Sequence, residues 1–198
     1  MAPPRKHDSD RILDAARTLV LRQGPRAASV AAIARESGAP VGTLYHRFGS
    51  RDAVLAAAWL RALERFQRYA LDAGADPDPL EAAVAMAGSQ VGFARERPDD
   101  ARLLLTLRRD DLLDADPDNE LRARLEAINA PLRARLAELT RALRSSTTAR
   151  AQDVVTRAVV DLPHAAVRRH ASAGERPPAW LQRDVIAAAR RLLAPDSD

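Results

Sequence analysis

The stretch SVAAIARESGAPVGTLYHRFGSRD, residues 29–52, decides how this sequence folds. Apolar residues first recur at helical spacing, and the turn GAP follows at 38–40. A second apolar set then recurs at the same spacing until Gly49 interrupts it. Ser29 and Ser50 stand at positions where helix N-caps are expected. Two short helices joined by a glycine-containing turn are typical of a helix-turn-helix unit.

The composition predicts an all-α protein. Hydrophobic residues make up 46% of the 198 residues but aromatic residues only 4%, so the core must consist mainly of Ala, Leu and Val. Such a core favours closely packed helices over sheets. The sequence has no Cys and no apolar run long enough for a membrane span, and MAPPRKHDSD lacks the apolar segment of a signal peptide. We therefore expect a cytoplasmic protein without disulfides and without membrane contact.

The charge is distributed unevenly between the two parts of the chain. Residues 1–70 hold 12 Lys or Arg and 6 Asp or Glu, a net charge of +6, whereas residues 71–198 hold 19 and 21, a net charge of −2. The basic excess coincides with the helix-turn-helix pattern, and neutralisation of DNA phosphates explains such an asymmetry. The alternative is that an Arg-rich helical surface is basic by chance.

The pattern divides the chain into three parts. Residues 1–8 carry two prolines and no apolar anchor, which predicts a disordered basic arm. Residues 9–50 form the predicted head, beginning with a helix over 9–23, and a long connector helix follows over 51–72. The break AGADPDP at 73–79 is the start of a helical domain over 73–198. Its helices are predicted over 80–96, 100–113, 120–143, 149–171 and 179–194, with Pro131 and Pro163 kinking or splitting the third and fourth of these.

Two segments resemble the TetR family of bacterial transcriptional regulators. They are RILDAARTLVLRQG at 11–24 and ASVAAIARESGAPVGTLYHRFGSRDAVLAAA at 28–58. The resemblance implies a three-helix DNA-binding head followed by an all-helical domain that binds a ligand and dimerises. The sequence departs from the family pattern at Pro40 and Val41, which stand where a polar pair commonly opens the second helix of the motif.

The resemblance also suggests which residues contact DNA. It places Thr43, Tyr45 and His46 on the recognition helix, and Ser29 and Arg51 at helix starts near phosphates. Side-chain chemistry adds two residues, because an arginine at 47 can pair with phosphate and a valine at 41 can touch a thymine methyl group. The predicted DNA-contacting set is Ser29, Val41, Thr43, Tyr45, His46, Arg47 and Arg51.

Two further sets are predicted in the C-terminal domain. A ligand pocket between helices is predicted from apolar faces that contain an isolated amide, although such residues are also typical of an ordinary core. This set is Trp59, Phe66, Met86, Gln90, Phe93, Leu104, Leu107 and Asn129. A four-helix dimer interface is predicted from the last two helices, the alternative being burial within one subunit. This set is Val155, Val159, Leu162, Ala166, Trp180, Leu181, Val185, Ala189 and Leu192.

No pattern indicates catalysis, a cofactor or a metal. His164 and His170 are about 240° apart on a helix and so do not share a face, and no phosphate-binding loop or nucleophile motif occurs. We predict a ligand-responsive bacterial transcriptional regulator that is associated with the nucleoid. It is predicted to be a repressor that binds a pseudo-palindromic operator as a homodimer. The effector is predicted to be a small apolar or amphipathic molecule. The alternative is a helical small-molecule-binding or interaction protein that does not read specific DNA.

Overall fold

The computed structural model describes residues 6–107 and 120–194, and every regular element in these ranges is helical, as predicted. No helix in these ranges is both long and apolar enough to cross a membrane. The α-helices are α1 (Lys6–Gln23), α2 (Val30–Ser37), α3 (Val41–Phe48), α4 (Arg51–Ala73), α5 (Pro79–Glu96), α6 (Pro98–Thr106), α7 (Glu120–Arg144), α8 (Ala149–Thr156), α9 (Leu162–Ala171) and α10 (Ala179–Leu193). A short 3₁₀ turn covers Pro25–Ala27, and a π-helical segment covers Arg157–Asp161.

The head consists of α1, α2, α3 and the first half of α4. Ile12, Ile33 and Leu44 bring α1, α2 and α3 onto one buried cluster, to which α4 adds Val54. Gly38 ends α2 in the left-handed conformation with a φ of 69°, which gives the sharp turn between the two motif helices. The first helix begins at Lys6, three residues before its predicted start, so the predicted arm is helical over residues 6–8. Residues 1–5 of that arm lie outside the described residues.

The connector α4 joins two apolar clusters. Its first half contributes Val54 and Trp59 to the cluster in the head, which also takes in Leu103 from α6. Its second half places Phe66 and Tyr69 against the cluster of the C-terminal domain, where the ring of Phe93 meets both edge-on at centroid distances of 5.4 and 5.8 Å. A single helix therefore packs into both parts of the protein.

The C-terminal domain is built around α5, which is buried on most of its surface and packs against α4, α9 and α10. Two glycines allow this close packing. A Cβ at Gly88 would lie 2.8 Å from the Ile186 side chain of α10, and one at Gly92 would lie 2.8 Å from the Tyr69 hydroxyl of α4. Neighbouring helices therefore approach α5 closely on two sides.

The helix boundaries near three prolines differ from the predicted ones. Pro98 opens α6, two residues before the predicted start, because a first-turn proline lacks only an N–H that would have no helical acceptor. The helix ends at Thr106, and residues 108–113 of the prediction lie outside the described residues. Pro131 lies inside the continuous helix α7, so the predicted split is absent there. Before Pro163, by contrast, the helix changes to the π-helical segment.

Candidate nucleic-acid interface

The recognition helix α3 has one buried face and one exposed face. Leu44 is buried and Phe48 packs against the head cluster. On the opposite side, Val41 and Tyr45 are 44% and 54% exposed, and His46 is also exposed. This face therefore presents an apolar group, a phenol hydroxyl and an imidazole to a partner. The structure thus brings Val41, Tyr45 and His46 together as the sequence predicts, with Thr43 half-buried beside them.

Arg51, a predicted phosphate contact, has hydrogen-bond partners inside the head. Its guanidinium donates to the Ala28 carbonyl oxygen at 3.0 Å through Nε and to the Pro25 carbonyl oxygen through Nη2. Nη1 donates to the Asp52 carboxylate at 2.5 Å. These bonds attach the start of α4 to the 3₁₀ turn between α1 and α2. Because all three nitrogens have partners inside the head, the arginine acts as a structural clamp that positions the motif.

Two other arginines hold the motif helices against α1. Arg47 on α3 donates to the Ser9 hydroxyl at 2.9 Å, and Arg11 on α1 donates to the Ser37 carbonyl oxygen at 2.9 Å. The second contact was not predicted, since nothing in the sequence indicates which carbonyl Arg11 meets. A small cavity of about 110 Å³ lies beside it, lined by Arg11, Ser37, Gly38, Ala39, Pro40 and Thr43. The start of α3 therefore borders an open recess.

Two helices of the motif region, α2 and α4, begin with a serine side-chain cap, whereas α3 begins without one. The hydroxyl oxygen of Ser29 accepts from the Ala32 N–H at 3.2 Å, and that of Ser50 accepts from the Ala53 N–H at 3.1 Å, which confirms both predicted caps. Pro40 at the start of α3 provides no side-chain cap. Ser29 is exposed, and its hydroxyl proton remains available to a phosphate oxygen. Its predicted DNA contact is thus sterically possible.

Sequence comparison identifies the head. Residues 12–58, which span α1 to the first part of α4, match the family model described as bacterial regulatory proteins, tetR family. The head is therefore a TetR-type DNA-binding domain. The protein is thus a DNA-binding transcriptional regulator, and α3 is its recognition helix. No curated protein matches the sequence.

Solved structures extend the likeness over nearly the whole regulator. A TetR family transcription regulator from Marinobacter aquaeolei VT8 superposes with a TM-score of 0.73 at 18% identity, covering 94% of this chain and 95% of that one. A TetR-like transcriptional regulator from Rhodococcus sp. RHA1 gives 0.67 at 24% identity, with coverages of 97% and 96%. The fatty acid degradation regulator FadR from Bacillus halodurans gives 0.70 at 16% identity, with coverages of 99% and 98%. At these identities the likeness shows a shared fold.

The predicted pocket residues of the regulator divide between the two apolar clusters. Trp59 and Leu107 belong to the head cluster, Met86 and Phe93 to the C-terminal cluster with Phe66 packed on it, and Leu104 contacts both. Both predicted amides have partners within the chain. The Asn129 side chain accepts from Gln67 Nε2 at 2.5 Å, so Gln67 is a polar residue of this region that the sequence did not indicate.

Gln90 supports the backbone of the π-helical segment. Its Nε2 donates to the carbonyl oxygens of Val159 and Val160 at 2.8 and 3.1 Å. In a regular α-helix the Val159 carbonyl would accept from residue 163, which is a proline and has no N–H. The amide of Gln90 thus supplies the missing donor. Its place in a ligand pocket stays a prediction, and in this structure its donor group is used by the two carbonyls.

The predicted dimer residues face in two directions. Val155, Val159, Val185 and Ala189 are buried inside one subunit, and Ala166 and Leu181 pack against the same cluster. The prediction is wrong for the four buried residues, because they complete the core around α5 and have no surface left for a partner. Leu162, Trp180 and Leu192 remain exposed. The outward apolar surface is therefore smaller than the sequence suggests.

A cluster of charged side chains joins the head to the C-terminal domain. Asp100, in the first turn of α6, is only 3% exposed and pairs with Arg17 of α1 and with Arg65 of α4, the latter at 3.0 Å. Burial alone would raise the pKa of Asp100, but hydrogen bonds from Arg65 and Arg17 outweigh that effect and hold its pKa below the ordinary value. The carboxylate is therefore charged at neutral pH and joins three helices.

Proposed function

We propose that this regulator is a repressor that binds a pseudo-palindromic DNA operator as a homodimer and leaves it when a small molecule binds the C-terminal domain. The observation that carries the proposal is the exposed face of α3. Val41 offers an apolar contact to a thymine methyl group, while Tyr45 and His46 offer hydrogen-bonding groups to bases or phosphates. Thr43 and Ser29 add hydroxyl groups at the helix starts. The basic balance of residues 1–70 supports the same contact.

Exposed apolar side chains support the homodimer. Leu162 opens α9, and Trp180 and Leu192 lie near the two ends of α10. Large exposed apolar residues on neighbouring helices favour burial against a second copy. In such a dimer two recognition helices about 34–36 Å apart would enter successive major grooves. This arrangement matches a pseudo-palindromic site.

The charged cluster around Asp100 supports a route from ligand to DNA. Helix α6 contributes Leu103 to the core beneath the head, Leu107 at its end does the same, and Asp100 of α6 pairs with Arg17 of α1. A ligand that displaces α6 would therefore move or break the contact to the head. The ligand acts only through its different affinities for the two states. FadR of Bacillus halodurans is described as a fatty acid degradation regulator, and an apolar or amphipathic effector suits the leucine-rich surroundings of α6. The place of action is the bacterial cytoplasm, at the nucleoid.

The proposal is tested by selecting bound fragments from genomic DNA and measuring affinity for the selected site over a range of salt concentrations. We expect one enriched palindromic sequence and a steep loss of affinity with salt. His46→Ala should weaken binding about tenfold through a lost contact in the groove. His164→Ala, which removes an exposed histidine from α9, is the matched control and should leave affinity unchanged. A flat salt response and no enriched sequence would reject DNA reading and favour the alternative of a binding protein without DNA specificity.

The dimer is tested separately by sedimentation equilibrium at micromolar concentration. Wild-type protein should sediment as a dimer, and Trp180→Ser together with Leu162→Ser should shift it to monomer without lowering its helical content. A wild-type monomer at that concentration would reject the dimer. Operator selection remains informative in that case, because each head carries its own recognition helix.

A further inference from the structure

Three polar side-chain atoms on α4 are buried without a hydrogen-bond partner among the residues that the structure describes. One is Nε of Arg61, whose other two guanidinium nitrogens pair with Asp10 and Asp14 of α1. The other two are the indole N–H of Trp59 and the amide oxygen of Gln67. Trp59 is 7% exposed and Gln67 is 4% exposed, so solvent does not reach either group. A buried donor or acceptor without a partner costs about 1–3 kcal/mol. Two such groups on one helix therefore need an explanation.

Gln67 lies at the seam between α4 and α7, and Trp59 belongs to the apolar cluster that α7 joins through Leu121 and Leu125. Gln67 Nε2 donates to Asn129 on α7, and Arg135 of α7 donates to the Gly74 carbonyl oxygen at 2.8 Å. The residue numbers on α4 and on α7 both increase from the first contact to the second, so the two helices run parallel along this seam. Trp59 lies eight residues before Gln67, and Leu121 lies eight residues before Asn129, so the two are at the same level of the parallel pair. Their side chains belong to the same apolar cluster.

The surroundings of this seam are apolar and include α6. Leu103 of α6, Leu107 just after it and Leu125 of α7 are buried in the cluster that holds Trp59. Leu63, one turn before Gln67, packs against the same cluster. The two partnerless groups are thus about 12 Å apart along the axis of α4, with leucine side chains between their levels. An elongated apolar body with a polar group towards each end matches this arrangement.

We propose that the seam between α4, α6 and α7 binds a neutral, elongated amphipathic molecule that carries hydroxyl groups. One hydroxyl oxygen accepts from the Trp59 indole N–H, and a hydroxyl proton is donated to the Gln67 amide oxygen. The ligand is neutral because the polar groups that the described residues offer it are an indole and two amides, and a buried ion would need a charged partner. This inference rests on the proposed function, since it names the effector class of the same regulator.

The site also explains how such a ligand would act. Leu103 lies on the same short helix as Asp100, which holds Arg17 of α1, and Leu107 follows directly after that helix. A molecule inserted beside these leucines must displace α6 or its side chains, because they are buried in the seam. The displacement reaches the head through the Asp100 carboxylate.

The test uses 1,10-decanediol, its dimethyl ether and sebacate as probes, which share a ten-carbon chain but differ at their ends. The diol can donate and accept, the ether can only accept, and sebacate is a dianion. The chain has two tryptophans, so two indole N–H signals are followed by NMR on the free protein, and Trp180→Phe assigns them. We expect the diol to shift the Trp59 signal and leave the exposed Trp180 signal in place. The ether and sebacate should bind at least about tenfold more weakly.

Variants test the two contacts separately by calorimetry. Trp59→Phe removes the indole N–H and should weaken diol binding about tenfold, whereas Trp180→Phe makes the same chemical change at an exposed position and should not. Gln67→Met should weaken the diol about tenfold but leave the affinity for the ether unchanged, because the ether has no proton to donate. Thermal unfolding followed by circular dichroism confirms that each variant is folded. If one is not, the comparison of diol and ether on wild-type protein decides alone.

The proposal is overturned if the diol leaves the Trp59 signal unmoved up to its solubility limit, or if the ether binds as tightly as the diol. It is also overturned if Trp59→Phe weakens binding no more than Trp180→Phe. Since these measurements contain no DNA, failure here leaves the operator selection untouched. Conversely, a shifted Trp59 signal in a protein that enriches no operator would reject the proposed function and keep the binding site.

Discussion

The polar contacts of the head and of the C-terminal domain differ in how far along the chain their partners lie. In the head, Arg11 and Arg51 donate to backbone carbonyls 23 to 26 residues away, and Arg47 and Arg61 donate to side chains 38 to 51 residues away. In the C-terminal domain, Gln90 reaches Val159 across 69 residues and Gln67 reaches Asn129 across 62. The link between the two parts, from Arg17 to Asp100, spans 83.

This difference indicates how the two parts respond to change. The head is a unit whose helices are fixed by contacts to its own backbone, so it can move as one body. The C-terminal domain is joined by a few long-range polar contacts between helices, and each of them can be lost when one helix shifts. We infer that the regulator changes shape in the C-terminal domain and at its link to the head, while the head keeps its geometry.

The largest effect is expected from Asp100→Asn, which breaks the link between the two parts. The substitution keeps the size of the side chain but leaves Arg17 and Arg65 without their buried anion. We expect a loss of about 3 kcal/mol in the free energy of unfolding, measured by urea denaturation at pH 7. Asp99→Asn, at the neighbouring exposed position in the same turn, is the control and should cost less than about 0.5 kcal/mol. Equal effects of the two variants would show that the cluster does not hold the domains together.

The same pair of proteins makes a prediction about pH. The pKa of Asp100 is lowered in the folded state, so its stabilising effect is complete above the unfolded value of about 3.9 and is lost as the pH falls through the folded value. The difference in unfolding free energy between wild type and Asp100→Asn should therefore shrink below about pH 4. Urea denaturation repeated from pH 7 to pH 3 measures it. A difference that stays constant over this range contradicts the ionic role.

A somewhat smaller effect is expected from Gln90→Met, which removes a long-range contact inside the C-terminal domain. The carbonyls of Val159 and Val160 lose their donor next to Pro163, and a buried carbonyl without a partner costs about 2 kcal/mol. Gln152→Met on the exposed side of α8 is the matched control. Urea denaturation measures the difference in stability between the two variants. A neutral Gln90→Met would show that the π-helical segment needs no support from α5.

Arg51→Ala tests the self-contained head. We expect a loss of about 2 kcal/mol in stability, because the carbonyls of Pro25 and Ala28 lose their donor. The slope of operator affinity against salt should stay that of wild type, since the arginine is occupied inside the head. A phosphate contact would instead lower that slope by about one with little change in stability. Arg35→Ala, at an exposed position on α2, controls for the lost charge.

The same contrast in partner distance explains what could be predicted from the sequence. The head could be predicted because caps such as Ser29, the turn at Gly38 and the apolar spacing of α2 and α3 are local features. The inward direction of Val155 and Val185, by contrast, depends on where α5 lies, and no local spacing contains that information. Arg51 shows the limit even within the head, because its residue type suits a phosphate and a carbonyl equally well. Only the position of the 3₁₀ turn decides between them.

The smallest effect on stability is expected from Arg190→Gln. This variant tests whether the burial of a contact or the sequence distance between its partners determines how much the contact stabilises the protein. Arg190 on α10 and Glu81 on α5 form two hydrogen bonds of 2.6 Å across 109 residues, farther apart than Arg17 and Asp100, but both side chains are exposed. The hydrogen bond from Arg190 holds the pKa of Glu81 below its ordinary value. Exposed pairs contribute little because water and salt screen them, so the melting temperature should stay within experimental scatter of wild type. If Arg190→Gln destabilised the protein as much as Asp100→Asn does, the distance between partners rather than their burial would determine which contacts hold the C-terminal domain together.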